Sequence, residues 1–370
     1  MMNRILHAAA TGAALFAAAC TTGAQSQSAI DFAPIVEERT RLHDVPGAYV
    51  AVVENGRVAF EHAHGTEELD GEDRFGAGTK GRLASASKFL AGLAFLSMAE
   101  DGLLDFDETL GDIDGSLPEA FAALPVWSVL NHTSGLPMMV IRDDFNAMTP
   151  EEQAAMTGDD VLAMIAGEPV DFAPGEGWHY QQSGYALLAR ALERRTGKSF
   201  LALLDEHVLE PAGTQNTGFT PIRDLAPAYT GENGALEWQA AGYAPALASA
   251  GGIETTGEDL TRIFRALGRG RIVSLGFLEA EVLRGDRLYR LGSDAEGEGY
   301  GMAMIVQRYG DVWTIGHSGG GGLADIRYAP EAKTGIIALT NRAGGTGVAS
   351  EITTLISTEL FGEGHIKTED

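Results

Sequence analysis

The spacing of apolar residues changes twice along the chain. Residues 34–43 (PIVEERTRLH) read as a short helix. The stretch GAYVAVVENGRVAFEHAHG then gives two β-rich runs around Asn55-Gly56, a dipeptide that between such runs marks a hairpin. From about Ser85 to Arg284 the spacing is helical in most segments. KFLAGLAFLSMAEDG, YALLARALERRTG and EDLTRIFRALGRG each close on a glycine of the kind that terminates helices. After Gly299 strands return as YGMAMIVQR, DVWTIGHS, LADIRYAP and GIIALTN, with turns at Tyr309-Gly310 and Lys333 to Gly335, and VASEITTLISTELF forms a last amphipathic helix. Strands at both ends of a helical middle predict an α+β fold. One antiparallel sheet is built from both termini and flanked by helices, with a mainly helical lobe inserted and a cleft between the two.

The first twenty residues stand apart from this pattern. Arg4 is followed by a mostly Ala and Leu run from Ile5 to Ala19, which has the length and polarity of an export signal. Nothing later reaches about 18 uninterrupted apolar residues, so no membrane span is expected. The chain's single cysteine, Cys20, follows Ala17-Ala18-Ala19 and resembles the lipobox of bacterial lipoproteins, although Ala17 stands where a bulky aliphatic residue is usual. Lipidation of Cys20 is the expected outcome, against ordinary cleavage nearby, for instance after Ala24. The expected division is a signal peptide over 1–19, a flexible tether over 20–30 and a catalytic domain over 31–370. Within that domain the sheet lobe takes 31–84 plus 285–370, and the helical lobe 85–284. An exported protein, periplasmic or held at a bacterial membrane by its lipid, follows from this reading, and a monomer is expected.

Composition narrows the class. The 370 residues carry 26 Lys+Arg against 52 Asp+Glu, a formal net charge of −26, which argues against nucleic acid as partner. That surplus reads as a solubility feature of the surface. One cysteine rules out an internal disulfide and C-x-x-C metal or redox sites.

A serine hydroxyl is a poor nucleophile at neutral pH and needs a base within hydrogen-bond reach. Ser85-Ala86-Ser87-Lys88 puts an amine one helical turn from a hydroxyl, at a helix start whose free N–H groups suit a developing oxyanion. Sixteen serines and five lysines give about 0.2 such pairs by chance, so the context must decide.

The context does decide. With LASASKF, VLNHTSGLP (129–137), PGEGWHYQQSGYALL (174–188), ASAGGIETTGEDL (248–260) and GHSGG, in that order, the chain resembles the serine β-lactamase and penicillin-recognising superfamily. The branch is that of class C β-lactamases, D-alanyl-D-alanine carboxypeptidases and related serine esterases, and the likeness covers roughly residues 31–362. The resemblance implies a β-lactamase/transpeptidase-like fold, with Ser85 as nucleophile, Lys88 as its base and Tyr180 as the phenol that shuttles a proton. It also implies an oxyanion hole from the Ser85 and Gly320 amides, and substrate binding by Gln182, His317, Ser318 and Gly319. Metal and cofactor are not required. Two positions depart from the lactamase pattern: Gln182 replaces an asparagine, and His317-Ser318-Gly319 replaces a K-T-G, exchanging a permanent cation for a switchable one. A small-molecule or peptide substrate is therefore expected, a carboxylic ester or D-amino-acid peptide ahead of a β-lactam. The competing class is a catalytically silent surface receptor or scaffold.

Several other patterns carry less weight. Lys333-Thr334-Gly335 spells K-T-G but falls between strands. Gly316 to Gly320 fits the G-x-S-x-G nucleophile elbow, yet that motif needs a helix after the serine and glycines follow here. His62 and His64, near Glu61, share a strand face without a third metal ligand. His132 and Thr133 are expected to hold a helix-to-loop turn, and Gly251-Gly252 to allow close packing. Trp178 is expected to line the pocket with Tyr180 and Gln182.

Overall fold

A computed structural model describes residues 30–220, 226–232, 235–238, 244–291 and 298–364. The export signal, Cys20 and all but the last residue of the tether lie outside the described residues. Among the described residues no helix is long and apolar enough to cross a membrane.

Strands β1 (Gly47–Glu54) and β2 (Arg57–Gly65) form the expected hairpin, with Asn55 and Gly56 both at positive φ, 49° and 74°. Short strands follow in the middle of the chain: β3 (Gly81–Arg82), β4 (Gly218–Phe219), β5 (Tyr229–Glu232), β6 (Ala235–Trp238) and β7 (Ile253–Thr255). The last six are β8 (Tyr289–Arg290), β9 (Glu298–Gly301), β10 (Met304–Tyr309), β11 (Val312–Gly319), β12 (Ala324–Ala329) and β13 (Thr334–Thr340). The main sheet has eight strands in the order β2-β1-β13-β12-β11-β10-β9-β8, antiparallel throughout, so both ends of the chain do build one sheet. A three-stranded sheet, β3-β7-β4, joins the stretch before Ser85 to the middle segment.

The two faces of the main sheet explain the unbroken apolar run of β1. Ala48, Val50 and Val52 pack on one face under α1 (Ala33–Leu42) and the C-terminal helix Val348–Phe361. Tyr49, Ala51 and Val53 enter the larger core on the other face, with the helix α2 (Ser87–Glu100), which is buried from Ser87 to Met98. A strand buried on both sides needs no polar alternation. The edge strand β2 differs. Its His62 Nε2 and His64 Nδ1 both reach the Glu37 carboxylate of α1, at 2.7 and 3.3 Å, so this strand face is tied to α1.

Two elements depart from the expected pattern. The run YGMAMIVQR is not one strand but the hairpin β9–β10, reversed at Met302-Ala303 with φ of 47° and 68°. Both turn residues are fully buried. A Cβ on Gly92 of α2 would lie 2.9 Å from Met302 O and 3.1 Å from Ala303 Cβ, and Ala303 N donates to Leu130 O at 2.9 Å, so the turn is held by tertiary packing. In the second case Thr334 and Gly335 belong to β13 rather than to the turn before it.

Candidate active site

Ser85 lies half-buried in a 3₁₀ turn, Ala84–Ala86, which runs straight into α2; the regular helix starts two residues later than the serine. Ile253 of β7 clamps this turn. Its carbonyl accepts from Leu83 N at 2.9 Å and its amide donates to Ser87 Oγ at 3.1 Å. Ala84 is held at φ 45°, a left-handed conformation that costs a residue with a Cβ and persists only where its surroundings enforce it. The end of β11 rests on the turn so closely that a Cβ on Gly319 would sit 1.8 Å from Leu83 O and 2.8 Å from Ala86 N. Only glycine allows that approach. Among the described residues neither the Ser85 nor the Gly320 amide donates to another protein group, which leaves two N–H donors on the rim of one cleft.

Lys88 follows on α2 with no exposed surface. Its Nζ donates to Ala250 O at 2.9 Å and stands 4.8 Å from the centre of the Tyr180 ring. Burial, with no carboxylate to offset it, lowers the amine from its ordinary value to about 7. A large fraction is therefore neutral near pH 7, as a base must be. Tyr180 moves the other way. Burial raises its phenol to about 12, against a smaller opposing effect of the Ser85 hydroxyl. At neutral pH the phenol holds its proton, so of the two candidates Lys88 is the group able to accept one from Ser85.

The loop bearing Tyr180 is held by the NHTSG stretch. His132 O accepts from His179 N at 2.9 Å, Thr133 O from Gly175 N at 2.9 Å and Gly135 O from Asp171 N at 2.8 Å. Asn131 Oδ1 ties the turn by accepting from Thr133 N and Thr133 Oγ1. The stretch thus forms the expected turn and also docks a second loop. His132 itself, 1% exposed, lies at the centre of the site, with ring centres 4.5 Å from Tyr180, 4.6 Å from Tyr300 and 5.3 Å from Tyr185. Burial, then the nearby Lys88 charge, hold it well below the usual histidine range.

His317 is also brought to the cleft, but not as a switchable cation. It is 3% exposed, and burial, then Lys88, keep it neutral far below 6.5. Its Nδ1 faces the Ser318 carbonyl, which can only accept, so Nδ1 carries the hydrogen and Nε2 accepts from Tyr300 O–H at 2.9 Å. Tyr185 O–H in turn donates to Leu130 O at 2.8 Å. No role is read from the sequence for Tyr185, although it falls within the stretch 174–188, or for Tyr300. The only signal for them was a tyrosine inside apolar runs, which reads as core.

Ser85, Trp178, Tyr180, Tyr300, His317, Ser318, Gly319 and Gly320 all line one cleft of about 410 Å³. No Lys or Arg is among its described lining residues. Gln182 is not among them either: it precedes the helix Ser183–Thr196, and its Oε1 is buried without a protein partner. The Tyr180 hydroxyl, Trp178 Nε1 and His132 Nε2 likewise lack a well-formed protein hydrogen bond, and Tyr180 and Trp178 line the cleft with Ser85. The other patterns fall away by geometry. Lys333 sits at φ 49° in the β12–β13 turn, and β11 passes from Ser318 through glycines into β12, with no helix after the serine.

A family model described as Beta-lactamase matches residues 32–358. Protein flp of Staphylococcus aureus (strain MW2) is 25% identical over 224 residues, covering 60% of this chain and 43% of that protein. This chain therefore spans less than half the length of that relative. Penicillin-binding protein 4* of Bacillus subtilis (strain 168) is 26% identical over 344 residues, 87% of this chain and 73% of that protein. Among solved structures, a D-stereospecific amidohydrolase from Streptomyces sp. superposes with a TM-score of 0.73 at 20% identity, over 90% of this chain and 99% of that one. EstCE1, a hydrolase with promiscuous acyltransferase activity, does so with 0.69 at 21%, over 87% and 97%. At such identities the structural likeness establishes the fold.

Proposed function

The chain belongs to the beta-lactamase family, and from that premise we propose that it is a serine hydrolase working through an acyl-enzyme on Ser85. The observation that carries this reading is the placement of Lys88, a wholly buried amine one turn beyond a serine; its Nζ donates to Ala250 O and stands 4.8 Å from the Tyr180 ring centre, and burial there lowers it to about 7. Ser85 Oγ attacks a carbonyl carbon as its proton passes to Lys88 Nζ, and the Ser85 and Gly320 amides hold the oxyanion. Collapse of the tetrahedral intermediate expels the leaving group, which takes a proton relayed through Tyr180 O–H. Water then attacks the acyl-serine by the same route in reverse and frees the acid.

For the substrate, a carboxylic ester or D-amino-acid peptide stands ahead of a β-lactam. A neutral His317 gives a substrate carboxylate no counter-charge, and the described cleft lining offers no other cation. This counts against a β-lactam and against a D-peptide with a free C-terminal carboxylate, and favours an ester or a C-terminally uncharged D-amino-acid derivative. The family name belongs to the family and is no assignment of β-lactam hydrolysis to this chain. Export through the N-terminal signal, anchoring through a lipid on Cys20 and a monomeric state complete the reading. Palmitate labelling lost in Cys20→Ala tests the anchor.

The central test is labelling with a fluorophosphonate probe. The expected mass increment falls on the Ser85 peptide and disappears in Ser85→Ala. No labelling under any condition would favour the silent scaffold. A panel of p-nitrophenyl esters, a D-Ala-D-Ala peptide and nitrocefin ranks the substrates, and preferred turnover of nitrocefin would put the β-lactam first.

A further inference from the structure

A second cavity, of about 500 Å³, opens next to the nucleophile cleft and shares Gly320, Gly321 and Gly345 with it. None of the side chains assigned above lines it. We propose that this cavity is the acyl-group site and that it selects uncharged, apolar acyl chains of medium length. The inference rests on the acyl-enzyme reading of Ser85 and deepens it.

Four substituents surround the carbon that Ser85 attacks in the tetrahedral intermediate. One direction holds the serine oxygen, and a second points the oxyanion at the Ser85 and Gly320 amides. The leaving group must lie within reach of Tyr180, which lines the first cleft and not the second cavity. The acyl carbon takes the remaining direction. Beyond the shared glycines the open space is the second cavity, reached past Ala84, the residue before the nucleophile.

The walls set the chemistry. Val140, Phe145, Leu247 and Leu323 present apolar surface. The charged residues among the described lining, Arg82 and Glu254, stand opposite each other across β3 and β7 and are nearly wholly buried. Arg82 Nε lies 4.0 Å from Glu254 Oε1 and donates to Ala226 O, while Glu254 Oε1 accepts from Ala226 N at 2.6 Å. The opposed charges give an acyl carboxylate no net counter-charge, and Glu254 Oε2, buried without a protein partner, is with Asn146 and Gln153 a polar point on this wall. A volume of this size lies within the range of about 300–1,000 Å³ that holds drug-sized ligands, well beyond the need of an acetyl group.

The test uses p-nitrophenyl esters from acetate to dodecanoate, with the alcohol held constant. Each methylene that enters the cavity should raise kcat/KM by roughly fourfold until the space is filled. Val140→Trp, which fills the cavity from a half-buried position, should lower the octanoate-to-acetate ratio of kcat/KM at least about tenfold. Phe145→Ala should move the optimum to longer chains. Fluorophosphonate labelling of Ser85 in each variant reports an intact site. Labelled variants with the wild-type chain-length profile overturn the cavity assignment and leave the acyl-enzyme standing. A profile that follows the length of the alcohol instead also overturns it. Absence of labelling in the wild-type protein overturns both.

Discussion

Two buried cations in this molecule are treated in opposite ways. Arg327 of β12 is 4% exposed and grips Asp325 through two bonds of 2.7 and 2.8 Å, while Ser350 and Thr353 of the C-terminal helix donate to the same carboxylate at 2.8 and 2.9 Å. Burial alone would lower the guanidinium, but the adjacent carboxylate overrides it and Arg327 ends above its ordinary value. Lys88 is buried as deeply with only a carbonyl for partner, and there burial wins. A fully compensated charge pins a helix to a sheet; an uncompensated one becomes a base. The difference lies in whether a carboxylate stands beside the cation, not in the depth of burial.

The largest effect tests that contrast directly. Lys88→Arg keeps a cation of similar length but cannot shed its proton, and should lower kcat/KM for an activated ester by at least about 10³-fold. Lys88→Met should be as inactive yet more stable. Between about 7 in the fold and about 10.4 in the unfolded chain the unfolded state binds the extra proton, so stability rises with pH across that window and the full cost is present below 7. Removing the amine at pH 7 should relieve on the order of 4 kcal/mol, read as a higher Tm. An active Lys88→Arg enzyme, or a Lys88→Met protein that melts earlier, would break the comparison.

Arg327→Met should do the reverse and destabilise by about 3–5 kcal/mol, because Asp325 is left as a buried charge without its counter-ion. Chemical denaturation reads this as a lower midpoint. Next in size is the pH dependence. As Lys88 must be neutral to act, kcat/KM should fall about tenfold per pH unit below 7 and level off above it. His317 and His132, held neutral well below 6.5, should add no inflection between 6 and 8. A second inflection there that vanished in His317→Gln would show that the site has a switch after all. The smallest effect belongs to the exposed cluster on β2: His62→Gln should shift stability by no more than about 0.5 kcal/mol and leave ester turnover unchanged.

The sequence made much of this visible, but unevenly. The Asn55-Gly56 hairpin, the terminal strands and the apolar α2 could be read because their local patterns agree with their tertiary roles. Ser85, Lys88, Tyr180 and the GHSGG strand could be read as motifs; Ser85, Tyr180 and the strand end line one cleft, and Lys88 lies wholly buried against the Tyr180 ring. The Met302-Ala303 turn could not, since neither residue favours positive φ; contacts with α2 around Gly92 hold it there. Tyr185 and Tyr300 were hidden because an aromatic residue in an apolar run looks the same whether it packs or hydrogen-bonds. The third position of the tyrosine motif, Gln182, kept its place in the order but is not among the described lining residues of the cleft.

The sequence by itself determined where the strands and helices run, which serine has an amine one turn away, and that no disulfide braces the fold. Only the tertiary structure decided that Lys88 is stripped of water and carboxylates, that His317 is neutral, and that two cavities rather than one meet at Gly320. Connectivity and periodicity are local properties of the chain. A protonation state or a cavity is set by atoms contributed from distant segments, and their distances exist only once the chain has folded.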